Sequence, residues 1–460
     1  MYINIPSHIE KCIKFIEKNG FEAYIVGGCV RDSIIGKKPN DWDICTSATP
    51  KEIKEIFKKE KTIDVGIEHG TVVVLLESET VEITTFRIDG DYSDGRRPDS
   101  VEFTSKLIDD LARRDFTINA IAYNHRIGIR DYFNGVKDIE SKVIRCVGDP
   151  DKRFKEDSLR IMRALRFMAQ LNYKIEEKTL IAIEHNKGLL KKISMERIIV
   201  ELNKLILSDH PGDGIKYMLN MDIVPTVVPY LKKHEEKYIY DSSKVKESIK
   251  VIEGCPKKLH VRLTVFLYYL LKSFKDEDEN IIESDYKEKI SSLKPKYDIK
   301  LSIKCEEILK GLHYDNKTIK NVSTLMAYCD TQIYEDKVYI KRLLQGMGAD
   351  LLRELIIIKD VTKTFLEENL EIRAEFNLNK MRVELILDEI LKNEEAYRKV
   401  DLKITGKDLI DLGVKEGIVI GKILDELLEI AIQDPKNNNK GKLTIYAQEI
   451  YKDFKSNKDV

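Results

Sequence analysis

The residues best suited to chemistry are Asp41 and Asp43, two acids on either side of Trp42 in a segment, Asp41 to Cys45, that reads as a short strand. Residues two apart in a strand point to the same side, so the carboxylates project together, roughly 7 Å apart along the backbone, and converge on bridging metal ions. Hard carboxylates side by side suit Mg²⁺, which lowers the pKa of an attacking hydroxyl and neutralises nucleotide phosphates. Upstream, Gly27-Gly28-Cys29-Val30-Arg31-Asp32 follows an apolar strand. The paired glycines let backbone N–H groups approach a triphosphate at Gly28, and the turn leads into a short helix, Arg31 to Ile35, whose N-terminus favours an anion. Arg31 adds a charge-assisted contact. A D-x-D alone is commonly a turn and a Gly-Gly a loop; their order and spacing together point to nucleotidyl transfer.

A second constellation runs from Glu156 to Phe167. Arg160, Arg163 and Arg166 follow Asp157 at steps of three, each turning a helix by about 300°, so the four charged groups make one ridge. An Asp acceptor beside an Arg donor reads the Watson–Crick edge of a base: the carboxylate accepts from an exocyclic amino group, and the guanidinium donates to a ring nitrogen or carbonyl oxygen. Cytosine and adenine carry that amino group, whereas guanine and uracil present a ring N–H, so such a pair accepts C and A and rejects G and U. The bland alternative is an exposed helix with ion pairs three residues apart. Leu111 to Ala120, LARRDFTINA, sets a basic pair and an acid in an otherwise apolar helical stretch, which alone reads as a solvated helix face.

Taken together, Gly27-Gly28, Val30-Arg31-Asp32, the D-x-D and RRDFTINA resemble, residue for residue, the class II tRNA nucleotidyltransferase/poly(A) polymerase family in its bacterial form. The resemblance implies that the segment holding Arg114 binds the incoming nucleotide's sugar and phosphates. It places an amino-acid template for CTP and ATP on Asp157 and Arg160, with Arg163 and Arg166 completing the pocket. Asp41 and Asp43 become the catalytic metal ligands, and Mg²⁺ the cofactor. The implied reaction adds C, C and A to the 3′ end of tRNA, releasing pyrophosphate, without a nucleic-acid template. Asp89 to Pro98 looks like the family's flexible loop, whose motif is lacking in enzymes restricted to the two cytidines, so its presence favours addition of all three nucleotides. From the residues alone it is a mobile polar loop beside the nucleotide site. Rival readings are a bacterial poly(A) polymerase of the same family and a non-catalytic RNA-binding protein on a degenerate transferase head.

The elements that must position these residues follow from the pattern. Up to about residue 145, helix-like pieces alternate with strands at Phe21 to Val26, Asp41 to Cys45, Thr71 to Leu76 and Val81 to Phe86; after Gly148-Asp149-Pro150 the apolar residues recur at helical spacing. The expected fold is α+β: a polymerase-beta-like nucleotidyltransferase head with a mixed sheet over residues 1–145, then a helical neck (146–207), body (208–330) and tail (331–460) in an elongated array. Ser194-Met195-Glu196-Arg197 matches the family's last head-and-neck motif and reads as structural, Ser194 capping a helix. Thr405-Gly406-Lys407, in a tail-like element, either holds an RNA phosphate or caps a packed helix. Glu82 is either a third acidic ligand or a strand-face residue, and Trp42 is packing. The acidic stretch Lys275 to Ser291 looks flexible.

Composition sets limits. With 78 Lys+Arg against 79 Asp+Glu in 460 residues the formal charge is −1, so polyanion binding must come from a local face. Residues 1–150 sum to −4 and residues 151–460 to +3, with +4 concentrated in 151–210, the stretch holding the arginine ridge. No apolar run reaches a membrane span and the first residues lack a signal-peptide core, so a cytoplasmic protein is expected. Seven scattered cysteines, none in a C-x-x-C pair, read as reduced and buried, giving neither a disulfide framework nor a zinc site. No His-Asp hydrolase pair appears downstream. The expected partners are tRNA, ATP and CTP, with no membrane, for a monomer or homodimer.

Overall fold

The computed structural model describes residues 2–64, 66–76, 79–92, 98–228, 242–273, 294–415 and 417–456. Helix α1 (Ser7–Lys18) buries Ile9, Cys12, Ile13 and Ile16, an apolar stripe at helical spacing. It precedes β1 (Ala23–Val26), whose four residues are all buried, as a central strand requires. The chain then passes through α2 (Gly28–Ile34), β2 (Asp43–Thr46), α3 (Pro50–Ile56), β3 (Lys61–Asp64), β4 (Thr71–Leu76) and β5 (Glu79–Thr85). Thr49 and Glu52 form a capping box at the start of α3, with Pro50 at its first turn. A hairpin of β6 (Arg87–Asp89) and β7 (Val101–Phe103) leads to α4 (Leu107–Ala112), β8 (Ile121–Asn124), β9 (Gly128–Asp131) and α5 (Gly135–Glu140).

Seven strands form one sheet in the order β3-β4-β5-β2-β1-β8-β9. All neighbours are antiparallel except β2 and β5, so the sheet is mixed, as expected. On one side Tyr24, Val26, Cys45, Phe86, Leu111 and Ala122 pack into a buried cluster, which fixes the strand ends that carry the acids. Strands β3, β6, β7, β8 and β9 escape the sequence reading: β3, Lys-Thr-Ile-Asp, has no buried face to set up an alternation. Helix α4 ends at Ala112, and Arg113 to Phe116 turn away from it, so LARRDFTINA is not one helical face. Ser93 to Arg97 of the expected flexible loop, and all of Lys275 to Ser291, lie outside the described residues.

A two-residue strand, β10 (Val143–Ile144), precedes α6 (Pro150–Glu156) and α7 (Leu159–Leu171) and pairs in parallel with β11 (Lys174–Ile175). Then come α8 (Glu177–Asn186), α9 (Met195–Ile206), α10 (Pro211–Asn220) and α11 (Val224–Val227). These belong with the sheet to one compact unit, residues 1–232; residues 233–460 form another. The second unit holds α12 (Ser242–Gly254), α13 (Leu259–Lys272), α14 (Ile299–Gly311), α15 (Asn316–Tyr328), α16 (Lys337–Leu366, kinked at Gly348), α17 (Leu370–Lys392), α18 (Gly406–Asp411), α19 (Ile418–Gln433) and α20 (Lys440–Ser456). Apart from β11 the described elements after residue 150 are helical, as the periodicity requires. All seven cysteines are free thiols, six of them buried.

Candidate active site

Strand β1 ends at Val26 and the backbone turns at Gly27, whose φ of 83° lies in the left-handed region that favours glycine. A Cβ at Gly27 would come within 3.2 Å of Arg114 Nη1, so the glycine also admits that guanidinium against the turn. Gly28 opens α2. Arg31, one turn further, is buried: its Nη1 donates to Asn119 Oδ1 at 2.6 Å and its Nε to Asp32 Oδ1 at 2.9 Å. Arg31 therefore braces the turn against the RRDFTINA segment through Asn119, a residue the sequence reading quoted without singling it out.

Asp43 is the first residue of β2, and Asp41 lies just before it, outside the strand. In the parallel pairing of β2 with β5, Asp43 stands opposite Glu82. Although Asp43 is exposed at the strand end, the protein packed round its carboxyl raises its pKa, and the neighbouring charges of Asp41 and Glu82 push the same way; Arg114 opposes them. Arg114 is held by Asp110, which accepts from its Nη2 at 3.1 Å, while its Nε is buried without a hydrogen-bond partner among the described residues. Asp110 has no exposed surface; burial alone would raise its carboxyl, but the guanidiniums of Arg114 and Arg113 outweigh that and hold it low. Two oxygen donors with a third acid in register, repelling one another, fit a hard divalent cation. Among the described residues no group of three or more His, Cys, Asp or Glu is gathered closely enough to hold one alone, so substrate phosphates and water would complete its shell.

The other side of the site is built by the junction of α6 and α7. Asp157 is not on the helical ridge: its backbone is extended (φ −145°, ψ 100°), interrupting the helix. Its carboxylate is fixed from two directions, accepting from Leu159 N–H at 3.1 Å and from Arg197 Nη2 at 2.8 Å. Arg197 is the last residue of the motif read as structural. Ser194 stands at the N-cap of α9 but makes no capping hydrogen bond through its side chain; the connection that matters in that motif is Arg197 to Asp157.

Arg160, Arg163 and Arg166 do share a stripe of α7, yet they are largely enclosed rather than solvated, which removes the exposed-helix alternative. Arg160 donates to Glu156 Oε2 at 2.7 Å, to the Arg153 carbonyl at 3.0 Å and to the Arg113 carbonyl at 3.1 Å. Arg163 grips Asp115 at 2.6 and 2.8 Å. Arg166 lies 3.1 Å from Glu201 of α9 and 4.1 Å over the ring of Phe167, which Arg31 and Arg163 also face at 5.0 and 5.4 Å. Burial lowers Arg166 to about 10 despite Glu201. Asp115, buried, is nonetheless held well below the carboxylate range by Arg163, by Asn119 and by Arg160. Asp115 and Glu201 were not singled out from the sequence; the arginine spacing was the available signal, since buried guanidiniums require acids elsewhere in the fold.

Residues 23–145 match the family described as the poly A polymerase head domain, and residues 172–235 match the probable RNA and SrmB-binding site of polymerase A. The chain is 36% identical over 430 residues to the CCA-adding enzyme of Ligilactobacillus salivarius strain UCC118, covering 92% of each. The chain belongs to the CCA-adding enzymes. Among solved structures of CCA-adding enzymes, that from Bacillus stearothermophilus in complex with CTP is 25% identical, with a TM-score of 0.72 and 98% of each chain covered. The Thermotoga maritima CCA-adding enzyme complexed with tRNA shares the fold at 20% identity, with a TM-score of 0.58, covering 98% of this chain and 100% of that one. CCA-adding enzymes are nucleotidyltransferases, so the expected enzyme class and head fold both hold. No described helix is long and apolar enough to cross a membrane.

Proposed function

We propose that this protein adds C, C and A in turn to the 3′ end of tRNA from CTP and ATP, releasing pyrophosphate, in the cytoplasm and with Mg²⁺. The observation that carries the mechanism is the acid group at the start of β2: Asp43 faces Glu82 in register, is close enough to Asp41 to feel its charge, and is opposed by Arg114. When bound there, Mg²⁺ lowers the pKa of the tRNA 3′ hydroxyl and neutralises the triphosphate. Asp41 and Asp43 would hold the cation. Gly28 offers backbone N–H groups to the phosphates, Arg114 adds charge beside them, and Arg31 keeps the turn in place. Asp157 accepts the exocyclic amino group of C or A, while Arg160 donates to the ring. Arg163 and Arg166 hold the α7 wall of the pocket through Asp115 and Glu201. Phosphoryl chemistry depends chiefly on such positioning and charge stabilisation.

The head would then end near residue 145, the neck near 207 and the body near 330, the tail gripping tRNA. Within that tail Thr405 closes a capping box with Asp408, which also binds Lys440 at 2.7 Å. That supports the capped-helix reading of Thr405 over a phosphate site.

The decisive assay feeds the protein a tRNA lacking its terminal CCA with labelled CTP and ATP. Sequential incorporation of two cytidines and one adenosine is expected, and adenylation without cytidine would leave a poly(A) polymerase. Asp41→Ala should abolish incorporation; activity within a few-fold of wild type would refute the metal role. Asp157→Ala should relax discrimination against UTP and GTP, and unchanged discrimination would refute the base-reading role.

A further inference from the structure

The unit of residues 233–460 contains a cavity of about 890 Å³, lined by residues of α12, α13, α16 and α17 and of the connection at 329–333, and by none assigned to the transfer reaction. Its size falls in the roughly 300–1,000 Å³ usual for small-molecule sites. The rings of Tyr268 and Phe376, with Ile358 and Val383, give a flat ligand an apolar surface to lie on.

Five lysines also line the cavity, and four have a carboxylate nearby. Lys244 is 3.0 Å from Glu247, Lys272 3.3 Å from Asp330, Lys363 3.4 Å from Glu367 and Lys380 2.7 Å from Asp360. Lys359 differs from these. It donates to the backbone carbonyl of Cys329 at 2.9 Å, and among the described residues no carboxylate comes within ion-pair distance. An ammonium has three donors, so this one has capacity left for an anion. Burial lowers the pKa of Lys359 despite the opposing pull of Cys329 and Asp330, neither of which is ion-paired with it.

Asn379 makes the second demand. Its amide nitrogen reaches the Ile333 carbonyl at 3.5 Å, while its Oδ1 is buried with no hydrogen-bond partner among the described residues. A buried acceptor left in this state is costly and asks for a donor. An anion for Lys359, an N–H for Asn379 and a flat ring for the aromatic wall together describe a base joined to a phosphate.

We propose that this cavity binds one nucleotide unit, with its phosphate against Lys359, its base on Phe376 and Tyr268, and a base N–H donated to Asn379 Oδ1. Two sources supply that chemistry, a free nucleoside phosphate and a single nucleotide of an RNA strand. Equilibrium dialysis of the full-length protein with labelled CTP, and separately with a short labelled single-stranded RNA, distinguishes them. For a free nucleotide, wild type binds two equivalents of CTP, Lys359→Met binds one, and Lys359→Arg restores the second. For an RNA strand, CTP stays at one equivalent, but Lys359→Met weakens the oligonucleotide at least tenfold and raises the KM for tRNA with kcat unchanged. Phe376→Leu should weaken the same ligand by several-fold, and it serves as the test if Lys359→Met fails to fold. The proposal is overturned if folded Lys359→Met or Phe376→Leu binds both probes as wild type does. It is also overturned if inorganic phosphate displaces the probe as effectively as a nucleotide, because the base would then contribute nothing.

Discussion

Around Asp43 the acids face one another, whereas along α7 each arginine faces an acid or a carbonyl. Asp41, Asp43 and Glu82 crowd negative charge with Arg114 as the named counterweight, so this half of the site is less stable than it would be without its charges. Arg160, Arg163 and Arg166 instead find Glu156, Asp115 and Glu201. In the first half like charges are left facing one another, and in the second each guanidinium is met by an acid or a carbonyl from the fold itself. On the proposed function, the first is changed by substrate binding and the second resists change.

This contrast can be broken by mutation. The largest effect is expected at Asp43→Ala, with turnover falling on the order of 10³-fold or more, since a metal site supplies several kcal/mol of transition-state stabilisation. Its melting temperature should hold or rise, because a repelled carboxylate has gone; calorimetry beside a CTP-incorporation assay reads both. Glu201→Gln should do the reverse. Removing one partner of a buried pair typically costs about 3–5 kcal/mol, and Arg166 would be left buried without its acid, so denaturant unfolding should shift strongly. If Glu201→Gln melts like wild type, the claim that the α7 half is self-completed fails.

Arg197→Ala should act between these extremes. Asp157 keeps its Leu159 N–H but loses the guanidinium that aims it, so the KM for CTP should rise about tenfold, the worth of one charge-assisted hydrogen bond, with little change in kcat. Partial recovery by Arg197→Lys would separate aim from bulk packing. The smallest effect concerns pH. The pKa of Asp43 is raised on folding, so stability falls as pH rises from the unfolded carboxylate value through the folded one, and the penalty is fully present at neutral pH. Asp115 is depressed, so its contribution is complete above the unfolded value and is lost as pH falls towards the folded one. Melting curves from acid to neutral pH should therefore show Asp43→Asn gaining on wild type as pH rises and Asp115→Asn losing.

The same division governs what the sequence discloses. Asp41, Asp43, Gly28 and Arg114 stand out as a candidate site because phosphate and metal chemistry would demand particular residue types at short range. Strand β1 is equally plain, since four consecutive apolar residues have few other uses. Glu82 is ambiguous on paper because its role depends on a parallel pairing with β2 that no local pattern announces. Asp115, Glu201 and Arg197 are hidden for a related reason: each meets its partner from a distant element, and an isolated acid in an amphipathic helix looks like surface. The break at Asp157 is invisible to helical spacing, since the steps of three continue through it. Beyond residue 233 the periodicity gives helices but not their pairing, so the cavity beside Lys359 could not have been foreseen.

The extended backbone at Asp157 bears on how specificity could be moved between relatives. Asp157, proposed to read the base, takes its direction from Arg197, forty positions downstream, and its arginine neighbours take theirs from Asp115 and Glu201. A graft of α7 alone would carry the guanidiniums and leave their orientation behind. The smallest portable cassette runs from the start of α6 through Glu201, together with Asp115 on the head, and a chimera cut inside those limits inherits the letters of the template without its alignment.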